Sequence, residues 1–154
     1  MISFHLAATD WDYAEAAQLF HEYAVSIKIN LDFQHFAEEL KALKKMYGIP
    51  WGGIILVKAQ SVFIGCVAIR KIDEGTCELK RMYIKPGYQK MGIGKSVLNK
   101  ALQLAKECNY SKVKLDTLSE MASAIHLYKQ AGFYEIPPYY NNPLTTAVYF
   151  EKVL

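Results

Sequence analysis

Residues 78–94 read ELKRMYIKPGYQKMGIG, and the change of pattern inside them decides the fold. The apolar and aromatic run that begins at Thr76 and ends at Ile84 predicts a strand, which Pro86 and Gly87 break. After Gly92 and Gly94, the residues Val97, Leu98, Ala101, Leu102 and Ala105 recur at helical spacing and predict a helix ending near Asn109. A strand therefore runs into a helix through Gln89-Lys90-Met91-Gly92-Ile93-Gly94. Glycines there let backbone N–H groups turn toward an anion at the helix N-terminus, so the loop is a candidate pyrophosphate cradle. A purely structural strand-to-helix turn is the alternative.

The charge around this loop is uneven. Between Leu79 and Lys106 stand seven bases, Lys80, Arg81, Lys85, Lys90, Lys95, Lys100 and Lys106, and no acid. The whole chain carries a net charge of only +3, so the remainder is net acidic and positive potential is focused on one segment. That distribution suits a compact anion, or simply a solvated basic face. It argues against nucleic acid, because the lysines alternate with apolar helix positions and the total charge is small.

Outward from the loop, the chain alternates between the two periods. Residues 2–7 predict a short strand, and Thr9 or Asp10 can cap a helix over 11–29. Asp32 starts a second helix whose Phe33, Phe36, Leu40, Leu43 and Tyr47 form one apolar stripe, closed by Gly48 and Pro50. Runs over 54–58, 62–72 and 76–84 with short turns predict an antiparallel meander. Beyond the glycine loop, Val113, Leu115 and Thr117 mark a strand, 122–130 a short helix closed by Gly132, 133–136 a short strand and 147–153 a last one. The expected order is β-α-α-β-β-β-α-β-α-β-β, in one domain over residues 1–154.

Two other glycine-loop readings fail on position. Gly94-Lys95-Ser96 resembles the tail of a nucleoside triphosphate loop, but that motif needs glycine where Gln89 stands. Gly92-Ile93-Gly94 resembles the start of a dinucleotide fingerprint, but that needs glycine or alanine at Val97.

The sequence resembles the GNAT superfamily of acetyl-CoA-dependent N-acetyltransferases. Gln89, Gly92 and Gly94 match its signature: Gln or Arg, two residues, Gly, one residue, then Gly or Ala, between a core strand and a helix. The resemblance continues through Glu78 to Ile84 before the loop, and through Ala124-Ile125-His126-Leu127-Tyr128 to Gly132-Phe133 after it. It implies an α/β (α+β) fold with a central mixed, mostly antiparallel sheet, helices on both faces, and a splay that admits CoA. Met121 stands where Asn is frequent, Gln89 where Arg is commoner, and Lys90 where a small residue is usual.

Acetyl transfer to an amine needs the amine neutral, the thioester carbonyl polarised and the leaving thiolate protonated. By resemblance, Glu78 occupies a position at which some members carry their general base, and Tyr128 the usual general-acid place. The plainer alternatives are a strand-edge carboxylate paired with Lys80 or Arg81, and a core tyrosine. Backbone N–H groups around Met82, Tyr83 and Ile84 are implied to receive the carbonyl and the pantetheine arm. Those of Lys90 to Lys95, with lysine charge, are implied to bind the pyrophosphate. Leu127 and Phe133 read as packing.

The acceptor pocket is expected from the first two helices and the stiff aromatic loop 137–142, with Tyr139 and Tyr140 lining it or serving only as a lid. The acceptor is a small-molecule amine or a peptide amine. The isolated Cys66, Cys77 and Cys108 offer no convincing nucleophile, so direct transfer without an acyl-enzyme is expected. Neither the cysteines nor His5, His21, His35 and His126 have metal-site spacing, so no metal is expected. The N-terminus lacks a secretory pattern and no apolar run reaches membrane-spanning length, which reads as cytoplasmic. A homodimer is common in the family. A CoA-binding sensor that has lost turnover is the alternative to an enzyme.

Overall fold

The computed structural model describes residues 1–154, the side chain of Phe33 excepted. One seven-stranded sheet organises them, in the order β1-β2-β3-β4-β5-β7-β6. Its strands are β1 (Ile2–Leu6), β2 (Gly53–Ala59), β3 (Val62–Lys71), β4 (Thr76–Ile84), β5 (Lys112–Leu118), β6 (Tyr134–Ile136) and β7 (Ala147–Val153). All neighbours pair antiparallel except β4 and β5, which run parallel. The mixed, mostly antiparallel sheet and the 2-3-4 meander are as the sequence predicts.

Two cores sit on opposite faces of the sheet, as strand alternation requires. On one face α4 (Ile93–Glu107) and α5 (Ala122–Gln130) bury Val97, Leu98, Ala101, Ala105 and Tyr128 against Ile69, Leu79, Val113, Leu115 and Phe150. On the other, α1 (Asp10–Ser26) buries Ala16, Leu19 and Phe20 against Ile54, Leu56, Cys66 and Tyr83. Helix α1 starts with a reciprocal cap: the Asp12 N–H donates to Thr9 Oγ1 at 3.1 Å, and Asp12 Oδ2 accepts from the Thr9 N–H at 3.0 Å.

The expected second helix is broken. The structure has a 3-10 turn over Asp32–Gln34, then α2 (Phe36–Lys41) and α3 (Leu43–Met46). His35 adopts a left-handed conformation at φ 56°, and Ala42 leaves the helical region at φ −129°. The apolar stripe is satisfied in short pieces: Leu43 and Tyr47 are buried beside Phe20, while Phe36 and Leu40 pack against the same core. The breaks leave Gln34 and Glu39 both facing the sheet.

The sheet opens between its two parallel strands. Strands β4 and β5 pair only at Thr76–Lys112, Cys77–Val113 and Glu78–Lys114, and no pairing continues beyond. On its other side β4 stays paired with β3, but the register slips between Cys66 and Ala68, so that Ala68 faces Lys80 while Cys66 faces Tyr83. Arg81 is the extra residue of this bulge and sits at φ 59°, a conformation that costs a non-glycine residue roughly 1–2 kcal/mol. Close approach fixes the neighbouring strand. A Cβ on Gly65 would lie 2.7 Å from the Tyr83 carbonyl oxygen, which only glycine avoids.

Candidate active site

The bulge decides which side chains meet. Alternation puts Cys77 and Leu79 into the α4 core and Glu78 and Lys80 on the opposite face. The extra residue then sends Arg81 to that face as well, two consecutive bases where a regular strand would present one. Arg81 is buried, and its Nη2 and Nε donate to Glu39 of α2 at 2.7 and 3.0 Å. The Tyr47 hydroxyl donates to the same carboxylate at 2.9 Å. Burial pushes the Glu39 carboxyl up, but Arg81 and Tyr47 outweigh it and hold the group below the usual carboxylate range.

Glu78 is the last β4 residue paired with β5 before the strands part, and it is 2% exposed. Its Oε1 accepts from Arg70 Nε at 2.8 Å, its Oε2 from the Tyr139 hydroxyl at 2.6 Å, and Lys80 Nζ lies 4.0 Å away. The carboxylate is paired, but not as expected: its main partner is Arg70 of β3, Lys80 stays at the 4.0 Å limit, and Arg81 pairs with Glu39 instead. Tyr139 and Tyr140 meet Tyr149 of β7 edge-on, with ring centroids 5.5 and 5.9 Å from it, which packs the loop against the sheet.

Three adjacent spaces lie around the split. On the α4 side a cleft of about 720 Å³ runs along Met82, Tyr83, Ile84, Gln89, Lys90, Gly92, Gly94 and Lys95 to Ala124 and Leu127. Of the residues expected at the cofactor, Met91 and Ile93 do not line it: the Met91 side chain is exposed and Ile93 enters the core at the start of α4. Only their backbones are available to an anion. Leu127, expected as packing, borders the cleft and would touch a Cβ on Gly94 at 3.0 Å. Gly92 caps α4 at φ 77° with nothing within 4 Å of where a Cβ would stand, so its backbone is open to a ligand. Gln89 Nε2 donates to the Ile84 carbonyl at 2.9 Å and pins the loop to the strand end.

A throat of about 60 Å³ crosses the sheet where β4 and β5 diverge. It shares Met82, Met121 and Ala124 with the α4-side cleft, and Gln34 with a pocket of about 510 Å³ on the opposite face. Met121 lies at the junction, its sulfur accepting from the Thr117 hydroxyl at 3.5 Å. Tyr128 lines the throat, edge-on to Phe133 at 5.7 Å, and burial pushes its phenol well above the ordinary tyrosine range. It therefore carries its proton at every physiological pH. Glu78, Tyr139 and Tyr140 line the pocket beyond, with Arg70, Glu38, Ala42 and Met46.

Sequence reasoning missed Asp116, Gln34, Arg70 and Glu39. For Asp116 the signal was present: Val113 and Leu115 alternate with Lys114 and Asp116, so Asp116 shares the face of Glu78 and Lys80 once β5 lies parallel to β4. Burial pushes its carboxyl above the usual range, although the Tyr140 hydroxyl donates to it at 2.6 Å. Gln34 and Glu39 were hidden by the helix breaks. Among the described residues, no three His, Cys, Asp or Glu side chains gather where they could hold a metal ion, and no helix is long and apolar enough to cross a membrane.

A split sheet with a glycine loop at one mouth of the gap and a pocket at the other can bring a CoA thioester and an acceptor together, as an acyltransferase requires. The profile of the Acetyltransferase (GNAT) family matches residues 13–133, and the chain belongs to that family. It is 32% identical over 140 residues to an uncharacterized N-acetyltransferase of Schizosaccharomyces pombe, covering 90% of this chain and 86% of that one. A Dictyostelium discoideum uncharacterized N-acetyltransferase is 28% identical over 196 residues, covering 88% and 91%. Among solved structures, an acetyltransferase from Streptococcus agalactiae superposes with a TM-score of 0.82 at 17% identity, over 99% of this chain and 98% of that one. A GNAT family acetyltransferase from Elizabethkingia anophelis, crystallised with acetyl-CoA bound, superposes with a TM-score of 0.68 at 18% identity, over 99% and 98%.

Proposed function

We propose that the chain acts as one domain that transfers an acetyl group from acetyl-CoA to a primary amine by direct attack through the split in the sheet. The observation that carries this reading is the adjacency of the three spaces, which share lining residues across the split, with the glycine loop at one end and a carboxylate- and tyrosine-lined pocket at the other. Acetyl-CoA lies in the α4-side cleft, its pyrophosphate on the N–H groups of Lys90 to Lys95 and its pantetheine along the free edge of Met82, Tyr83 and Ile84. The acetyl-CoA bound to the Elizabethkingia relative supports that choice of co-substrate.

The amine, small-molecule or peptide, enters from the opposite pocket and meets the thioester in the throat. Glu78 takes the ammonium proton, directly or through a water. The amine nitrogen adds to the carbonyl carbon and backbone N–H groups of β4 hold the oxyanion; as the C–S bond breaks, Tyr128 gives its proton to the departing CoA sulfur and regains one through solvent as the new amide nitrogen sheds its extra proton. Free thiols at Cys66, Cys77 and Cys108 suit a reducing cytoplasm.

The test is calorimetric titration with acetyl-CoA followed by a thiol-release assay against a panel of amines. Binding with release for an amine class is the expected result. Binding without release for any amine marks a CoA sensor, and absence of binding overturns the reading.

A further inference from the structure

Two hydrogen-bond acceptors in the throat have no donor among the described residues, and one of them is sealed from solvent. Gln34 Oε1 is shielded from solvent and has no hydrogen-bond partner among the described residues. Its orientation is forced. The Tyr140 hydroxyl has one proton, and it donates that proton to Asp116 Oδ2 at 2.6 Å. The same hydroxyl oxygen must therefore accept from its other neighbours, which are Gln34 Nε2 at 3.0 Å and Asn142 Nδ2 at 3.0 Å. With the amide nitrogen committed to Tyr140, the amide oxygen is left pointing away from it.

Asp116 presents a second free acceptor, one that is half-buried and that water can reach. Both hydrogen bonds it receives, from Tyr140 and from Asn142 Nδ2 at 3.3 Å, fall on Oδ2, so Oδ1 has no protein donor among the described residues. Among the described residues no cation lies within 4 Å of this carboxylate, although the charges of Lys80 and Arg81 reach it from farther off, whereas the neighbouring Glu39 and Glu78 are each bound by an arginine. Lys80 lines the throat too, but its nearest carboxylate is Glu78 at 4.0 Å. Gln34 and Asp116 both line the throat, one from the 3-10 turn and one from β5.

A buried amide oxygen without a donor costs roughly 1–3 kcal/mol unless a ligand supplies one. We propose that Gln34 Oε1 and Asp116 Oδ1, held in place by Tyr140, form the subsite that receives the acceptor as an alkylammonium ion. Two acceptors, one of them anionic, match a group with several N–H donors and a positive charge. A hydroxyl offers one donor and no charge, so the subsite excludes alcohols and selects basic aliphatic amines over weakly basic aromatic ones. Tyr140 is the positioning residue. This inference rests on the reading of the throat as the place where amine and thioester meet.

The experiment is a titration of the CoA-saturated protein with n-butylamine and, separately, n-butanol, read by calorimetry. The expected result is at least tenfold tighter binding of the amine. Asp116→Asn and Tyr140→Phe should each bring the two ligands to within about threefold while CoA affinity holds, and Gln34→Leu should lose part of the preference. A merely structural role for Tyr140 would weaken both ligands alike. Equal binding of amine and alcohol by the unaltered protein, or a preference that survives in both Asp116→Asn and Tyr140→Phe, overturns the subsite. A thiol-release assay with acetyl-CoA and n-butylamine separates the two readings. Preference without release overturns transfer alone, and release without preference overturns the subsite alone.

Discussion

Arg81 of the β4 bulge and Glu39 of α2 form a buried two-pronged pair, at 2.7 and 3.0 Å, across forty-two positions of sequence. The Arg81 guanidinium also lies over the rings of Tyr23 and Phe36, at 5.9 and 5.2 Å from their centroids. Removing one member leaves the other charged and dry. Glu39→Gln should destabilise the fold by about 3–5 kcal/mol, measured by urea unfolding, and the double change Glu39→Gln with Arg81→Met should recover part of that loss. The pH dependence has a definite sign. Because the Glu39 carboxyl is held below its unfolded value, its contribution is complete above the usual glutamate range and is lost as pH falls through the lower folded value. The gap between the natural protein and Glu39→Gln should therefore narrow on acidification.

Gly92 caps α4 at φ 77°, where a β-branched side chain is strained and would project into the cleft. Gly92→Val should weaken acetyl-CoA binding at least tenfold by calorimetry, while lowering thermal stability by only the left-handed strain, about 1–2 kcal/mol. A variant that keeps its affinity would remove the loop from the cofactor site.

Among the described residues no group hydrogen-bonds the Tyr128 hydroxyl, and its ring is held by Phe133 and Phe150. Tyr128→Phe preserves that packing and deletes only the proton. With the proposed acid role, kcat should fall on the order of 10²-fold with acetyl-CoA affinity unchanged. An unchanged kcat at saturating amine would reassign the residue to the core.

Two thiols are sealed in the cores. Burial pushes the Cys77 thiol up to about 12 and raises Cys66 further, where its Sγ donates to the Arg81 carbonyl at 3.2 Å. Neither supplies a thiolate at neutral pH. Mass spectrometry after incubation with acetyl-CoA alone should find no acetylated cysteine, and Cys108→Ser should keep kcat within twofold. An acetyl adduct on a cysteine that forms and decays at the catalytic rate would replace direct transfer with a two-step route.

The strands and the principal helices were legible because their signals are local. Periodicity in 76–84 and 93–107, with the break between, is a property of neighbouring residues. The split itself was not legible from pattern, because it depends on a one-residue slip at Arg81 that leaves the hydrophobic alternation almost intact. The second helix was misread for a related reason: Phe36, Leu40, Leu43 and Tyr47 keep helical spacing even though His35 and Ala42 interrupt the backbone. Glu78, Tyr128, Tyr139 and Tyr140 were reached through a family likeness and do fall around the throat and its outer pocket. Asp116 could have been placed on the Glu78 face by the alternation of β5, whereas Gln34 belongs to a network of contacts between distant segments, for which a single sequence holds no periodic trace.

The wedge at Arg81 also bears on the order in which substrates arrive. A gap set by a backbone slip and locked by a buried ion pair exists before any ligand does, so its opening is a cost of folding and not of binding. The two mouths lie on opposite faces of the sheet, and neither visitor has to pass the other to reach the middle. With direct transfer as proposed, the ternary complex should assemble by either route, and initial-rate plots should intersect with no lag while a closing segment waits for the first partner.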